Sequence, residues 1–221
     1  MSNKANNEDK RSGDPFVVAI GRQFGCGGRE IGKMIAEALG AAYYDKTLLS
    51  KAAETFGFSK DLFDRADEKR PSWLRSLLQY NYGVENAVSE FSDIDNEGLY
   101  KAQSGVIRQL TQQGSCVIVG RTADYILRDH PRLISIFLHA PERHRAQKLI
   151  DRNDAKDLES AISMAKKMDN ARDSYYSYYT NKRWGAASTY HLCVDTSLFS
   201  PEEIIDLIRR HLGLVNRDLS D

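Results

Sequence analysis

The chain has 221 residues, 41% of them hydrophobic and 28% charged, and its 31 basic and 31 acidic residues give a formal net charge of zero. That length suits one α/β domain with an elaboration, or one domain plus a small mobile one. A neutral chain has no global field drawing it to nucleic acid, membrane or acidic substrates, so any basic site must be a local cluster.

Met1 to Gly13 is polar, without an apolar run, and reads as a disordered tail rather than a signal peptide, leaving 14–221 as a single domain. Phe16 to Ile20 is a short apolar, β-branched run ending at Gly21, as expected of a strand buried on both faces of a parallel sheet. A glycine-rich stretch follows, then Ile31, Ile35, Ala36 and Leu39 at helical spacing, closed by Gly40. Ala42 to Asp45 is a short strand ending in an acid. Lys46 to about Gln113 has a helical pattern, interrupted at Gly57, Pro71, Gly83 and Gly98. Ser115 to Val119 and Leu133 to Leu138 are two further buried strands, and a charged helical stretch runs from Pro141 to about Tyr179. Tyr190 to Asp195 is a last strand. Pro201 to Leu212 is a last helix, with Ser200 as N-cap and Glu202 and Glu203 in its first turn.

Strands alternating with helices predict a parallel sheet covered on both faces. Ligands bind such sheets at the carboxyl ends of the strands, which directs attention to Gly21 to Arg29, Asp45, Gly120-Arg121, His139 and Asp195. Gly25-Cys26-Gly27-Gly28-Arg29-Glu30 joins the first strand to the first helix. Glycines there let backbone N–H groups converge on a phosphate at the positive end of the helix. The competing account is a tight strand-to-helix turn. The stretch is not a Walker A sequence. Aligned on the helix ending at Leu39-Gly40, Arg22 falls at the first glycine, Gly27 at the second, Gly28 at the lysine and Glu30 at the Ser/Thr. A dinucleotide fingerprint fits less well, because the third glycine would fall at Glu30.

The residues from Val18 to Gly32 resemble the signature of the cytidylate kinase-like family. So do Tyr43-Tyr44-Asp45-Lys46, Gly120-Arg121, the strand Ile134 to Leu138 with Ala140-Pro141-Glu142, and Asp169-Asn170-Ala171-Arg172. Tyr178-Tyr179-Thr180, Lys182-Arg183-Trp184-Gly185 and Val194-Asp195-Thr196-Ser197 extend the resemblance, which spans nearly everything from Val17 to Leu212. It implies a three-layer α/β P-loop kinase fold with a five-stranded parallel sheet. A helical monophosphate-binding insertion would lie over 46–113 and a lid over 141–185. It implies a cytoplasmic phosphotransferase that moves the γ-phosphate of ATP, with Mg²⁺, to a nucleoside monophosphate (CMP- or dCMP-like) or a similar small molecule. The chain departs from the cytidylate kinases in places. In the segment D-x-G-x-x-Y-R, Asp45 keeps the acid, Thr47 stands at the glycine and Lys51 at the arginine. The motif G-R-D is Gly120-Arg121-Thr122, with Asp124 near. In R-D-x-x-D-x-x-R, Asp169, Arg172 and Asp173 supply charge, and Tyr176 replaces the last arginine.

Phosphoryl transfer needs a phosphate cradle, a bridging Mg²⁺ and cations at the transferred group. The cradle would be Gly21, Gln23, Phe24, Gly25, Cys26, Gly27, Gly28 and Glu30, and Arg22 or Arg29 could supply the missing lysine charge. Arg29 is the better expectation, since a cation in the first helical turn opposes the helix dipole unless an anion is near. Either arginine could instead pair with a carboxylate such as Glu30. Asp45 is placed to hold Mg²⁺ or its waters, or to cap the helix beginning near Thr47. Arg121, after a buried strand, would meet a substrate phosphate, or else pair with Asp124 or Asp45. In the cationic run from Arg143 to Arg172 most residues read as a solvated face, and Arg143 and Arg172 are the two expected to close over phosphates. With Lys51, Asp124 and Asp169, these complete the candidate substrate-binding and catalytic set.

Tyr175, Tyr176, Tyr178, Tyr179 and Trp184 read as core or subunit interface, consistent with a homodimer, rather than as a nucleic-acid platform. Cys26, Cys116 and Cys193 have no metal-ligand spacing and read as reduced thiols of a cytosolic protein. The expected partners are a nucleoside triphosphate and a small phosphate acceptor, with no nucleic acid and no membrane. Two other functions remain open on the sequence: a nucleotide-binding regulatory protein with little kinase activity, and a nucleic-acid-binding module.

Overall fold

The computed structural model describes residues 14–45, 47 and 96–218. The tail 1–13, Lys51, and the expected breaks at Gly57, Pro71 and Gly83 lie outside the described residues.

Five parallel strands form one sheet: β1 (Val17–Arg22), β2 (Ala42–Tyr44), β3 (Cys116–Val119), β4 (Leu133–His139) and β5 (Leu192–Asp195), in the order β2-β3-β1-β4-β5. The register sets Ile20 beside Val119 and Ile136, so Gly21-Arg22 emerge between the carboxyl ends of β3 and β4. The strands at the centre are continuous apolar runs because both faces are covered. Side chains alternate across the sheet. Val18, Ile20, Val117, Val119, Ile134 and Ile136 pack against α1 (Gly28–Ala38) and the last helix (Pro201–Asp218), while Val17, Ala19, Cys116 and Ile118 pack on the other face against α2 (Asn96–Gln112) and α3 (Ala123–Ile126). The three buried methyl-rich residues of β3, Val117, Ile118 and Val119, stabilise the sheet by roughly 1.5–3 kcal/mol each.

Gly98 does not interrupt a helix as the sequence pattern suggests; it lies inside the first turn of α2. The long charged stretch after β4 is two helices, α4 (Glu142–Asp151) and α5 (Leu158–Thr180), rather than one. Asn153 takes a left-handed φ of 60°, and Asp157 starts α5 with a capping box, accepting from the N–H of Ser160 at 2.8 Å. A third cluster of Phe24, Ala146, Leu149, Ala161, Ala165 and Met168 packs α4 and α5 together and fixes both to the glycine turn. The last helix, α6 (Pro201–Asp218), is longer than its apolar pattern indicates. Its start is as expected: Ser200 and Glu203 exchange hydrogen bonds at 2.8 and 3.3 Å. Among the described residues no helix is long and apolar enough to cross a membrane. All three cysteines are free, with Cys26 and Cys116 buried and Cys193 exposed.

Candidate phosphate site at the glycine turn

The turn between β1 and α1 is built on two left-handed glycines, Gly25 at φ 83° and Gly27 at φ 84°. A side chain at 25 would also meet the carbonyl oxygen of Arg145 at 2.8 Å, so only glycine lets the turn lie flat against α4. Gly27 is the N-cap of α1 and has no side chain to satisfy the first turn. Among the described residues, the backbone N–H groups of Gly25, Cys26, Gly27, Arg29 and Glu30 have no intramolecular acceptor. A run of free donors at the positive end of a helix is an anion-binding arrangement.

The other expected cradle residues have different work. Gln23 gives its N–H to the carbonyl of Leu138 at 2.9 Å, and its side-chain oxygen accepts the N–H of Ala140 at 3.2 Å. Phe24 is buried, with its N–H on Asp169 at 2.7 Å and its carbonyl on Arg145 at 2.9 Å. These bonds anchor the turn and engage the backbone N–H groups of both residues. Cys26 is likewise buried, and its carbonyl accepts the hydroxyl of Thr196 at 2.8 Å. Burial pushes its thiol up, so it is no nucleophile. Gly21 lies beneath the turn, where an added Cβ would meet Phe137 at 2.9 Å and Tyr190 at 3.1 Å.

Gly28, at the place of the usual lysine, is not left-handed, so its backbone would accept a side chain. The space is occupied: a Cβ there would lie 2.8 Å from both Cβ and Cγ of Arg22. Arg22 therefore runs through the volume a side chain at 28 would use, and its guanidinium reaches Gly120 at the end of β3. Arg22 is largely buried, and burial together with the neighbouring Arg172 lowers its pKa to about 9, still charged at neutral pH. Arg172 comes down from α5, donates to the carbonyl of Arg22 at 2.9 Å, and lies over the Phe24 ring at 5.3 Å. Burial lowers its pKa too, with Asp169 opposing.

Asp169 is the hub. It receives Arg145 at 2.7 Å and the Phe24 N–H, and lies 3.8 Å from Arg172. Burial pushes its carboxyl up, and these donors hold it back. The sequence's candidate binding residue ties α4 and α5 to the turn. Sequence reasoning passed over Arg145 as one cation in a charged run. Its spacing to Leu149, one helical turn away on the buried face, was the available signal. Arg143, two residues earlier and about 200° around the helix, lies exposed on the solvent side of α4 and is not brought to the turn.

Arg29 pairs with Asp45 at 3.4 Å rather than with Glu30, which instead meets Arg152 at 3.7 Å. Asp45 also accepts the N–H of Thr47 at 3.0 Å, as a cap does. At the end of β3, Gly120, Arg121 and Thr122 have successive left-handed φ values of 83°, 59° and 52°, a conformation that stores strain at the two non-glycine residues. Arg121 pairs with neither Asp45 nor Asp124. Asp124 instead accepts the phenol of the buried Tyr176 at 2.5 Å, and burial raises its carboxyl pKa. The candidate substrate-binding acid is thus held against α5.

Residues 17–198 match the model of the cytidylate kinase-like family. The chain belongs to this family. Among solved structures, an uncharacterized protein from Eubacterium ventriosum ATCC 27560 shares 26% identity, with 90% of this chain and 98% of that one covered at a TM-score of 0.67. A gluconokinase from Sinorhizobium meliloti 1021 is 16% identical, with 93% and 95% covered at a TM-score of 0.51, a likeness of fold alone. No curated protein matches the chain. This member of the cytidylate kinase-like family thus has the P-loop kinase fold, with the Walker lysine replaced by glycine and the space filled by Arg22.

Proposed function

We propose that the chain is a nucleotide-dependent phosphotransferase that holds the phosphates of a nucleoside triphosphate such as ATP over Gly25 to Arg29. It would pass the terminal phosphoryl group to a small acceptor, with a nucleoside monophosphate of the CMP or dCMP kind as the class its family suggests. One observation carries this reading. Arg22, Arg145 and Arg172 converge on the turn with, among the described residues, a single carboxylate, Asp169, between them. An unbalanced buried cation is costly, and an anion of two or more charges would relieve the excess.

In this reading the free N–H groups of the turn cradle the phosphates and Arg22 supplies the charge that a lysine supplies in ordinary P-loops. Arg172, fixed to the carbonyl of Arg22, draws α5 onto the transferred group, where charge develops. Among the described residues no cluster of three acids, histidines or cysteines could hold a resident metal. A Mg²⁺ that arrives on the phosphates asks less, one carboxylate or its waters, and Asp45 at the end of β2 fits that demand once Arg29 turns from it to a phosphate. Such an ion would neutralise the phosphates. Arg121, at the end of β3, would then meet the acceptor.

The Arg29–Asp45 pair also supports a second reading, a nucleotide-binding protein with little kinase activity, because it occupies the acid that the metal would need. Two measurements separate the possibilities. Nucleotides with and without Mg²⁺ should raise the melting temperature, since a ligand of the native state stabilises it. A coupled ADP-release assay with CMP, dCMP, UMP and other monophosphates should show turnover. A shift without turnover selects the regulatory reading, and no shift with any triphosphate removes both.

A further inference from the structure

A fourth cation faces the turn from outside. Lys148 projects from α4, and an atom at the Cβ position of Gly27 would lie 3.4 Å from its Nζ. Among the described residues this ammonium has no ion pair or hydrogen bond, although its neighbours on α4 do: Gln147 bonds Asp151 at 2.8 Å, and Arg152 meets Asp154 and Glu30. Gly27 caps α1, so the unpaired charge sits at the positive end of a helix, where the dipole opposes it. The dipole of α4 favours a cation in that helix's last turn, but it does not direct the ammonium toward Gly27. Three features converge: an unpaired cation, an unfavourable dipole, and a glycine whose missing side chain leaves the approach open.

We infer that Lys148 is a phosphate-contacting residue that closes the cradle at Gly27. The inference rests on the reading of the turn as a phosphate cradle. The lysine that the loop lacks at position 28 is then replaced twice, by an arginine from the end of β1 and by a lysine from α4. The ligand this predicts is the polyphosphate end of a nucleotide, or an inorganic polyphosphate, bracketed between the two cations. A compact ammonium suits this outer position, where it meets oxygens as a point charge, whereas the planar guanidinium suits the buried one.

The test is calorimetric titration of the full chain with ATP plus Mg²⁺ and with inorganic tripolyphosphate. It compares the parent with Lys148→Met, which keeps the aliphatic stem, Lys148→Arg, which keeps the charge, and Arg210→Ala, which removes an exposed cation. The neighbouring Arg209 of α6 bonds the carbonyl of Ala38 at the far end of α1, so Arg210 lies away from the turn. Lys148→Met should weaken both ligands by roughly tenfold to a hundredfold and flatten the salt dependence, as expected for a lost charge-assisted contact. Lys148→Arg should stay within a few-fold of the parent, Arg210→Ala should bind like it, and all variants should melt like it. If the parent binds and Lys148→Met binds equally well, or no worse than Arg210→Ala, the role of Lys148 is refuted while the cradle stands. If the folded parent binds neither ligand, the cradle itself falls and this inference with it.

Discussion

The exchange of positions between Arg22 and Gly28 can be reversed. Replacing Gly28→Lys restores the residue an ordinary P-loop carries there, yet its Cβ would lie 2.8 Å from Cβ and Cγ of Arg22, well inside contact distance. Arg22 cannot retreat easily, because its carbonyl is held by Arg172 at 2.9 Å. Overpacking of this kind costs about 1–3 kcal/mol. The added charge beside Arg22 and Arg172 acts in the same direction. Arg22→Gly alone leaves a void and a flexible strand end, at roughly 0.5–1 kcal/mol for the glycine, and removes the inner cation. The double variant clears the volume and supplies the charge from position 28. It should therefore be more stable than the sum of the single changes by about 0.5–3 kcal/mol, the range for residues in direct contact. Urea denaturation of the four proteins measures the coupling, and titration with ATP plus Mg²⁺ measures whether binding, lost in Arg22→Gly, returns in the double variant. Additive stabilities would refute the shared volume. A coupling without recovered binding would show that the two residues share space but not function.

Other outcomes follow from the same contacts. Asp169→Ala strands Arg145, which is only 7% exposed at its side chain, and should cost about 3 kcal/mol in urea denaturation, since removing one partner of a buried pair leaves an uncompensated charge; a loss below 1 kcal/mol would mean the hub is dispensable. Asp124 has a carboxyl pKa raised by burial, so the folded chain binds its proton more tightly than the unfolded chain. The stability difference between the parent and Asp124→Asn should therefore shrink as pH rises from the ordinary carboxylate range through the raised value, and a difference that grows with pH would contradict the burial of that acid.

The central strands were legible because a strand covered on both faces is apolar at nearly every position, as are Val17 to Ile20 of β1, all of β3, and Leu133 to Leu138 of β4 apart from Ser135. The glycine turn was legible for a similar reason: Gly25 and Gly27 sit where the backbone must be left-handed. What escaped was pairing over long sequence distance. Nothing local says that Asp169 lies beside Phe24, 145 residues away, or that Arg29 meets Asp45 rather than its neighbour Glu30. The break between α4 and α5 was half visible, since Asp157 and Ser160 form a capping box, but it uses serine where the pattern favours Glu or Gln. The partner of Tyr176 was also hidden. Its replacement of an arginine is plain in the chain, whereas its phenol on Asp124 appears only once α5 is packed against α3.

These long-range contacts change how the missing lysine is understood. In an ordinary P-loop the cation belongs to the loop, so the phosphate site is complete within one strand-to-helix unit. Here the inner charge comes from the end of β1 and a second from α5, both anchored by backbone contacts, while Arg145 of α4 holds the same Asp169 that grips Phe24. The site is complete only when α4 and α5 are packed on the turn, which the apolar cluster of Phe24, Leu149, Ala161, Ala165 and Met168 achieves together with the bonds of Asp169. The glycine at 28 is then no gap in a motif. It is the residue that allows a guanidinium from the strand to pass beneath the cradle, and it moves the loop's principal charge from a side chain free to swing to one fixed by the sheet.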